Sequence, residues 1–209
     1  MRYILLLLIG CDSGSLQVDD WIDSDTEITT NETDTDDIPL LPTECNGSVV
    51  RGDFSLRSYN DIAPLLGVEI LLGDITVHVD DLRALYCLEE IHGSLYIEDT
   101  QLQSLEGLES LTMITDSLVI KNNSALVRLE ALDNVHSIAT NYDAILARNA
   151  HLHVLHNTLL QDIGLVGLRD FQGDLSIQDN KFICQESVES LAERLDATCW
   201  FCTGQEYCE

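Results

Sequence analysis

Three histidines lie close together in the segment HLHVLH, at His151, His153 and His156. Neutral imidazole is a common zinc ligand and a common general base, so this segment is a candidate metal or catalytic site. The leucines between them, Leu152 and Leu155, follow the pattern of buried positions, which predicts that the histidines face solvent. We therefore predict no metal here. A metal held by converging exposed histidines is the alternative.

Cysteine is the second residue type that could carry chemistry. Apart from Cys11, the chain has six cysteines, namely Cys45, Cys87, Cys184, Cys199, Cys202 and Cys208. An even number in an exported chain indicates disulfides, although six cysteines allow 15 pairings. We expect pairing within each end of the folded part, as Cys45–Cys87, Cys184–Cys199 and Cys202–Cys208. A zinc site of the C-terminal cysteines is the alternative.

Motifs of the common catalytic chemistries do not occur in the sequence. There is no glycine-rich phosphate loop, no G-x-S-x-G and no H-E-x-x-H. Such motifs place nucleophiles, phosphates or zinc in the main enzyme classes. We therefore expect no enzyme activity and no cofactor.

The chain begins MRYILLLLIGC, which is a basic residue, an apolar run and a cysteine. The apolar run is far shorter than the roughly 20 residues that span a bilayer as a helix, and it indicates an export signal over residues 1–10. The segment Leu8–Cys11 resembles a bacterial lipobox. That resemblance implies that Cys11 is lipidated and anchors the protein to the inner or outer membrane of the cell envelope, facing the periplasm or the exterior.

Residues 11–44 have the composition of a disordered linker. Eleven acidic residues lie between Asp12 and Glu44, with no Lys or Arg. The segment cannot bury enough apolar surface to offset the entropy of ordering, so we expect an extended acidic tether. The whole chain carries a formal net charge of −27, which disfavours nucleic acid as a partner.

A short strand-like phrase recurs through the rest of the chain. Its occurrences are GDITV at 73–77, GSLYI at 93–97, DSLVI at 116–120, YDAIL at 142–146 and GDLSI at 173–177. Apolar residues alternate within each phrase, as in a strand with one buried face. Three residues after each phrase's last apolar strand position stands Asp80, Thr100, Asn123, Asn149 or Asn180, a residue type suited to a tight corner. The recurrence predicts a β-solenoid over residues 45–184.

The ends of a solenoid need caps, because open ends expose apolar interior and strand edges. The segment Asn60–Gly67 predicts a short helical turn with Asn60 or Asp61 as its N-cap. Residues 185–209 are expected to form the second cap. There the segment 186–195 is amphipathic, with Val188, Leu191 and Leu195 on one face.

Two longer strings, VVRGDFSLRSYNDIAPLLGVEILLGDITV and LEEIHGSLYIEDTQLQSLEGLESL, resemble the receptor L domain. This family comprises the ligand-binding solenoids of insulin-receptor-like and growth-factor-receptor-like ectodomains, and it also occurs in bacterial lipoproteins. The resemblance covers about Cys45 to Cys184. It implies a right-handed parallel β-helix with capped ends and disulfides. It does not extend to receptor signalling, because no kinase or furin-like module accompanies it.

The outward strand positions give the candidate binding face. If the phrase leucines and isoleucines face the core, the residues between them face solvent. These residues are Thr76, Tyr96, Val119, Ile145 and Ser176. Tyr96, Val119 and Ile145 would form an apolar stripe, and His78, Glu98 and Lys121 would flank it, which is the pattern of a binding surface.

These observations predict a membrane-tethered, non-enzymatic module that binds a protein or a glycan in the envelope or outside it. A structural envelope lipoprotein without a specific ligand is the first alternative. A β-helix polysaccharide lyase is the second, although the outward positions lack the cluster of aspartates and arginine that such enzymes use.

Replacement of the predicted lipidated cysteine tests the anchor. We expect Cys11→Ser to abolish fatty-acid labelling and to release the protein from the membrane fraction, because no other lipidation site is predicted. Metabolic labelling and fractionation measure both effects. Mature wild-type protein that starts upstream of Cys11 and carries no lipid would contradict the prediction.

Overall fold

The computed structural model describes residues 44–140 and 151–204, which form two parallel β-sheets. Sheet A contains, in spatial order, β1 (Ser48–Arg51), β3 (Val68–Leu72), β5 (Glu90–Ile91), β7 (Met113–Ile114), β9 (Ser137–Ile138) and β11 (Asp170–Phe171). Sheet B contains β2 (Phe54–Leu56), β4 (Ile75–Val77), β6 (Leu95–Glu98), β8 (Leu118–Lys121), β10 (His151–Leu155), β12 (Asp174–Gln178) and β13 (Cys199–Cys202). The chain alternates between the sheets, so its successive coils stack into a solenoid of about five turns. The predicted parallel β-solenoid is confirmed.

The core consists of apolar columns that run from coil to coil. In sheet B one column passes through Ile75, Leu95, Leu118, Leu152 and Leu175, all at most 1% exposed. Leu71, Ile91, Ile114 and Ile138 form the corresponding column of sheet A. Leucines of the turns between the sheets, with 3₁₀ helices at Arg83–Leu85 and Glu130–Leu132, close the third side of the core. The predicted alignment of Leu95, Leu118 and Leu175 is therefore confirmed.

One predicted strand is wrong. The strand between β8 and β12 is β10, HLHVL, and not the phrase at Tyr142–Leu146. Elsewhere two or three residues connect a sheet A strand to the following sheet B strand, but twelve residues, 139–150, separate β9 from β10. Both segments alternate apolar residues. Because extra residues precede β10 at this corner, the alternation was assigned to YDAIL instead of HLHVL. Tyr142–Leu146 lies outside the described residues.

Buried asparagines form a hydrogen-bonded ladder at the corner that follows sheet B. Asn123, Asn157 and Asn180 lie one above another, each at most 2% exposed. The Oδ1 atom of each accepts the backbone N–H of its counterpart one coil earlier, at 3.1 Å from Thr100, 3.0 Å from Asn123 and 2.9 Å from Asn157. Each Nδ2 donates to a carbonyl of an earlier strand, such as Ile97 O at 2.9 Å. The ladder thus satisfies backbone groups that water cannot reach.

The predicted corner column is therefore confirmed in part. Asn157 occupies the position assigned to Asn149, which lies outside the described residues. Asp80 is exposed and accepts the N–H of Gln101 at 2.8 Å, so it stays outside the buried ladder.

A second ladder lies at the corner that precedes sheet B, and its hydrogen bonds point the other way. Asp74 N donates to Asp53 Oδ1, Ser94 N to Asp74 Oδ1, and Ser117 N to Ser94 Oγ. Backbones approach very closely at this corner. A Cβ atom on Gly93 would lie 2.3 Å from Gly73 O, which explains the glycine that opens the phrase GSLYI.

Helices lie near both ends of the described solenoid. Helix α1 (Tyr59–Ile62) continues into a 3₁₀ helix at Ala63–Leu65, and its N-cap is Ser58 rather than the predicted Asn60 or Asp61. The Asp61 carboxylate accepts the N–H groups of Arg57 and Ser58, both at 2.9 Å, which explains the earlier start. Helix α2 (Gln185–Arg194) buries Val188 and Leu191, and Leu195 follows at 7% exposed, so the predicted apolar face is confirmed.

One of the three predicted disulfide pairs is confirmed and two are wrong. Cys45 pairs with Cys87 as predicted, with their Cα atoms 5.4 Å apart. Cys199 pairs with Cys202 instead of Cys184, while Cys184 is itself disulfide-bonded. An extended strand would hold the Cα atoms of Cys199 and Cys202 about 10 Å apart. An irregularity opposite Leu175 and Ser176 brings them to 5.7 Å. Cys11 and Cys208 lie outside the described residues.

The asparagine ladder gives a test of stability. We expect Asn123→Ala to lower the free energy of unfolding by about 2–4 kcal/mol, because it removes the side-chain partner of the Thr100 N–H and of the Ile97 carbonyl and the acceptor of the Thr100 hydroxyl. Asn134→Ala is the matched control, since this exposed amide makes one hydrogen bond, to Glu109 O. It should cost about 1 kcal/mol or less. Urea unfolding measures both, and equal costs would show that the ladder is not a main source of stability.

Candidate functional site

The outward side of sheet B carries a row of middle-strand residues. The register aligns Ser55, Thr76, Tyr96, Val119, His153 and Ser176, which we call the central row. It exists because apolar residues on either side of each member point into the core. Four of the predicted binding residues, Thr76, Tyr96, Val119 and Ser176, therefore share one face as expected.

The central row differs from the prediction at the fourth predicted position, which is the fifth member of the row. His153 lies between Val119 and Ser176, where Ile145 was expected. Ile145 itself lies outside the described residues. The exchange follows from the insertion before β10, and it replaces an aliphatic side chain in the row by an imidazole.

Burial also differs from the prediction of a solvent-facing stripe. Val119 is only 8% exposed and Ser176 only 6%, whereas Thr76, Tyr96 and His153 are partly buried. Val119 lies between the larger side chains of Tyr96 and His153 in the register. Ser176 Oγ accepts a hydrogen bond from Gln178 Nε2 at 2.9 Å. The face is therefore a packed surface in which Tyr96 and His153 are accessible and Val119 is mostly covered.

Polar residues flank the central row on its C-terminal side. Glu98 and Lys121 face each other across β6 and β8, as predicted for the rim. The next residue in this row is Leu155, which was predicted to be buried with Leu152 but is only partly buried. Val154 takes the inward position at 0% exposed. The rim thus joins an acidic group, a basic group and an aliphatic side chain.

The histidines of β10 form the most distinctive group on this face. The rings of His151 and His153 stack with centroids 4.5 Å apart and planes 15° from parallel. Asp174 approaches His151 Nδ1 at 3.7 Å, and Asp179 approaches His156 Nδ1 at 3.1 Å. Burial lowers the pKa of His153, the neighbouring His151 lowers it further, and Asp174 opposes the shift. The sequence predicted the outward direction of these residues but not the stacking.

A separate polar cleft of about 350 Å³ lies at the corner after β4 and β6. Its lining includes Asp80, Asp81, Arg83, Gln101 and Glu106. Hydrogen bonds from the Arg83 side chain hold the pKa of Asp81 at about 2, so this carboxylate is ionised at neutral pH. Both oxygens of the Asp81 carboxylate accept hydrogen bonds from Arg83. An ionised carboxylate held in this way is suited neither to donate a proton as a general acid nor to act as a nucleophile.

Within residues 44–140 and 151–204, no group of three or more His, Cys, Asp or Glu side chains is placed to hold a metal ion. None of the helices in that part of the chain is long and apolar enough to cross a membrane.

Comparison with known proteins decides the family. The receptor L domain model matches residues 88–195, which is more than half of the 209 residues. The chain belongs to the receptor L domain family. A search of curated proteins found no match. The match runs from the coil that contains β5 and β6 to the end of α2, and so includes most of sheet B. The receptor L domain is a non-enzymatic ligand-binding domain.

The lowered pKa of His153 predicts a pH-dependent stability. In the folded protein the neutral ring is favoured, so the unfolded chain binds more protons between the folded pKa and about 6.5. The free energy of unfolding should therefore fall as the pH drops through that window. His153→Gln should flatten this part of the pH profile in urea unfolding.

Asp174→Asn provides the companion measurement, because the Asp174 carboxylate raises the pKa of His153. We expect this variant to lower the pKa further, as measured by NMR titration of the imidazole. A pKa at or above 6.5 for His153 in the wild-type protein would contradict the predicted pH dependence, and an unchanged or raised pKa in Asp174→Asn would contradict the second expectation.

Proposed function

We propose that the protein is an envelope lipoprotein, anchored through Cys11, whose L domain binds a protein ligand with the outward face of sheet B. The observation that carries this proposal is the family membership together with the central row, which places Tyr96 and His153 at accessible positions on a rigid sheet. Receptor L domains bind protein ligands, which favours a protein over a glycan.

The central row contains one residue of the type that anchors interfaces, Tyr96. Tyrosine combines a large apolar area with a hydroxyl and has few rotatable bonds, so it loses little entropy on binding. Val119 is the register neighbour of Tyr96 on β8, and Thr76 is its neighbour on β4, toward the N-terminal coils. Glu98 and Lys121 supply the polar rim that excludes water from the centre of an interface.

The size of the face constrains the ligand. Strands lie about 4.8 Å apart and rise about 3.3 Å per residue, so six strands with four residues each present roughly 24 Å by 13 Å. A standard interface buries about 800 Å² on each partner. The sheet face supplies less than half of that in projection. A protein ligand must therefore also contact the corners beside the sheet, or bind as a peptide-sized segment.

The N-terminal part of the chain supports the attachment and the distance from the membrane. The lipobox-like Leu8–Cys11 fits a lipid anchor, and the acidic segment 12–44 fits a self-repelling spacer. The whole chain has a net charge of −27, and repulsion from anionic lipid headgroups would hold the domain away from the membrane, which leaves its sheet faces available to a ligand.

A structural lipoprotein without a specific ligand is the second candidate. Burial favours it, because Val119 at 8% and Ser176 at 6% exposure leave less apolar surface than an open stripe would.

Charge placed on the central row separates the two candidates. Wild-type protein would be used to capture partners from envelope and culture-medium fractions of the source organism, followed by affinity measurement with the purified partner. We expect Tyr96→Asp to weaken binding at least thirtyfold, corresponding to about 2 kcal/mol for the loss of a buried aromatic anchor. Val49→Asp on β1 of sheet A is the matched control, since Val49 is 52% exposed on the other sheet.

The outcomes are distinct. Equal weakening by both variants would place the binding site elsewhere, and a partner bound equally by both variants and the wild type would rule out this face. A ligand that proves to be a glycan on an array would correct the ligand class. The lack of any partner would favour the structural candidate.

A further inference from the structure

Two arginines outside the central row, Arg169 and Arg194, converge near the C-terminal end of the solenoid. Arg169 precedes β11, and Arg194 is the last residue of α2. Arg169 Nη1 donates to Val166 O at 2.7 Å, and Arg194 Nη1 donates to the same oxygen at 3.1 Å. The two Nη1 atoms are therefore at most about 6 Å apart. Such a pair is unusual in a chain with 10 basic and 37 acidic residues.

Backbone carbonyls fix both guanidinium groups. Arg169 Nη1 also donates to Leu168 O at 2.9 Å, and Arg194 Nη2 donates to Leu165 O at 2.9 Å. The turn that supplies these carbonyls is held in an uncommon conformation, with positive φ at both Gly164 and Leu165. The arginines are thus positioned in advance, which reduces the entropy lost when they bind a ligand.

Within residues 44–140 and 151–204, neither positive charge is neutralised by direct pairing. No carboxylate oxygen in the described part of the chain lies within 4 Å of either group, whereas Arg83 has both oxygens of Asp81 and Arg128 has one oxygen of Glu130 within that distance. Asp133 is the nearby acidic group, and its Oδ1 is 3.4 Å from Val166 N, not in contact with the arginines. Burial lowers the pKa of Arg194, Arg169 lowers it further, and Asp133 opposes the shift.

We propose that Arg169 and Arg194 form an oxyanion-binding site for a carboxylate or phosphate group of a ligand. A guanidinium has five N–H donors, and the carbonyls use only part of them here. The remaining donors, in two exposed forks, match the oxygens of a carboxylate or phosphate, and the bound anion relieves the repulsion between the two cations. Val166, 58% exposed beside the pair, provides an apolar contact for the rest of the ligand.

NMR of the arginine side chains tests the site without the protein ligand. Full-length ¹⁵N-labelled protein is titrated with sodium acetate or sodium phosphate against sodium chloride at constant ionic strength. We expect the Nε–Hε signals of Arg169 and Arg194 to shift and saturate with at least one of the two anions, and the tighter anion identifies the ligand group. Arg128, whose Nη1 is 3.8 Å from Glu130, serves as the internal control and should not saturate.

Variants make the assignment specific. Arg169→Gln should raise the dissociation constant measured at Arg194 at least tenfold, and Arg128→Gln should leave it unchanged. Asp133→Asn should lower it, because a nearby negative charge is removed. If Arg169→Gln does not fold, Arg169→Lys replaces it; this change keeps the charge but loses the fork, so binding should still weaken.

The opposing outcomes are equally clear. No saturation at either arginine would show that the pair only fixes the turn to α2. Equal shifts at Arg128 would indicate an adventitious ion only. Tyr96→Asp should leave the anion response intact, so this test stands or falls independently of the binding face on sheet B.

Discussion

The fold depends on satisfying backbone polar groups at the corners of a solenoid whose interior excludes water. A corner that turns away from a strand leaves N–H and carbonyl groups without ladder partners. Asn123, Asn157 and Asn180 solve this with a side chain that accepts from the earlier coil and donates to a carbonyl of an earlier strand. An aliphatic residue there would leave several buried groups unpaired, each at about 1–3 kcal/mol. The hydrogen bonds at these corners therefore constrain the spacing and the register of the coils without any contribution from the side chains of the outward faces.

The hydrogen bonds of the second ladder run in the opposite direction along the solenoid. At the corner before sheet B, Ser94 and Ser117 accept from the following coil, while at the corner after it the asparagines accept from the preceding coil. Side-chain oxygens at the two ends of a sheet B strand thus tie its coil to both neighbouring coils. This arrangement resists sliding along the strand, since a shift of one residue would break both ladders and turn the apolar columns outward. The positions of Tyr96 and His153 on the face are consequences of that fixed register.

The sequence predicted the elements that repeat and missed those that do not. The alternation of apolar residues in GDITV, GSLYI, DSLVI and GDLSI predicted a buried apolar column, and the register of sheet B confirms this column. The insertion at 139–150 itself contains the alternating segment YDAIL, which was preferred to HLHVL. The asparagine spacing does not separate the two segments, because Asn149 follows Leu146 by three residues just as Asn157 follows Val154. Both signals are local, so only the pairing of β10 with β8 and β12 fixes the register.

The candidate site was predicted in direction but not in burial or pairing. Outward positions follow from strand alternation alone, which placed Thr76, Tyr96, Val119 and Ser176 on one face. Their exposure depends on the neighbours across strands, and those neighbours depend on the register that the insertion obscured. The same limit applies to the disulfides, since Cys199–Cys202 requires a local irregularity of β13 that spacing does not encode.

Separate parts of the molecule carry stability and surface chemistry. The corner ladders and the apolar columns hold the coils together, and neither uses the side chain of Tyr96 or of Arg169. A solenoid of this kind can therefore change its outward rows with little effect on the stacking of its coils. His153 is the instructive intermediate case, because it lies on the outward face and yet packs against His151 and is partly desolvated. When the pH falls through the pKa of His153, protonation adds a positive charge to the outward face and lowers the stability of the fold. The affinity of that face for a ligand and the stability of the protein are therefore linked through one side chain.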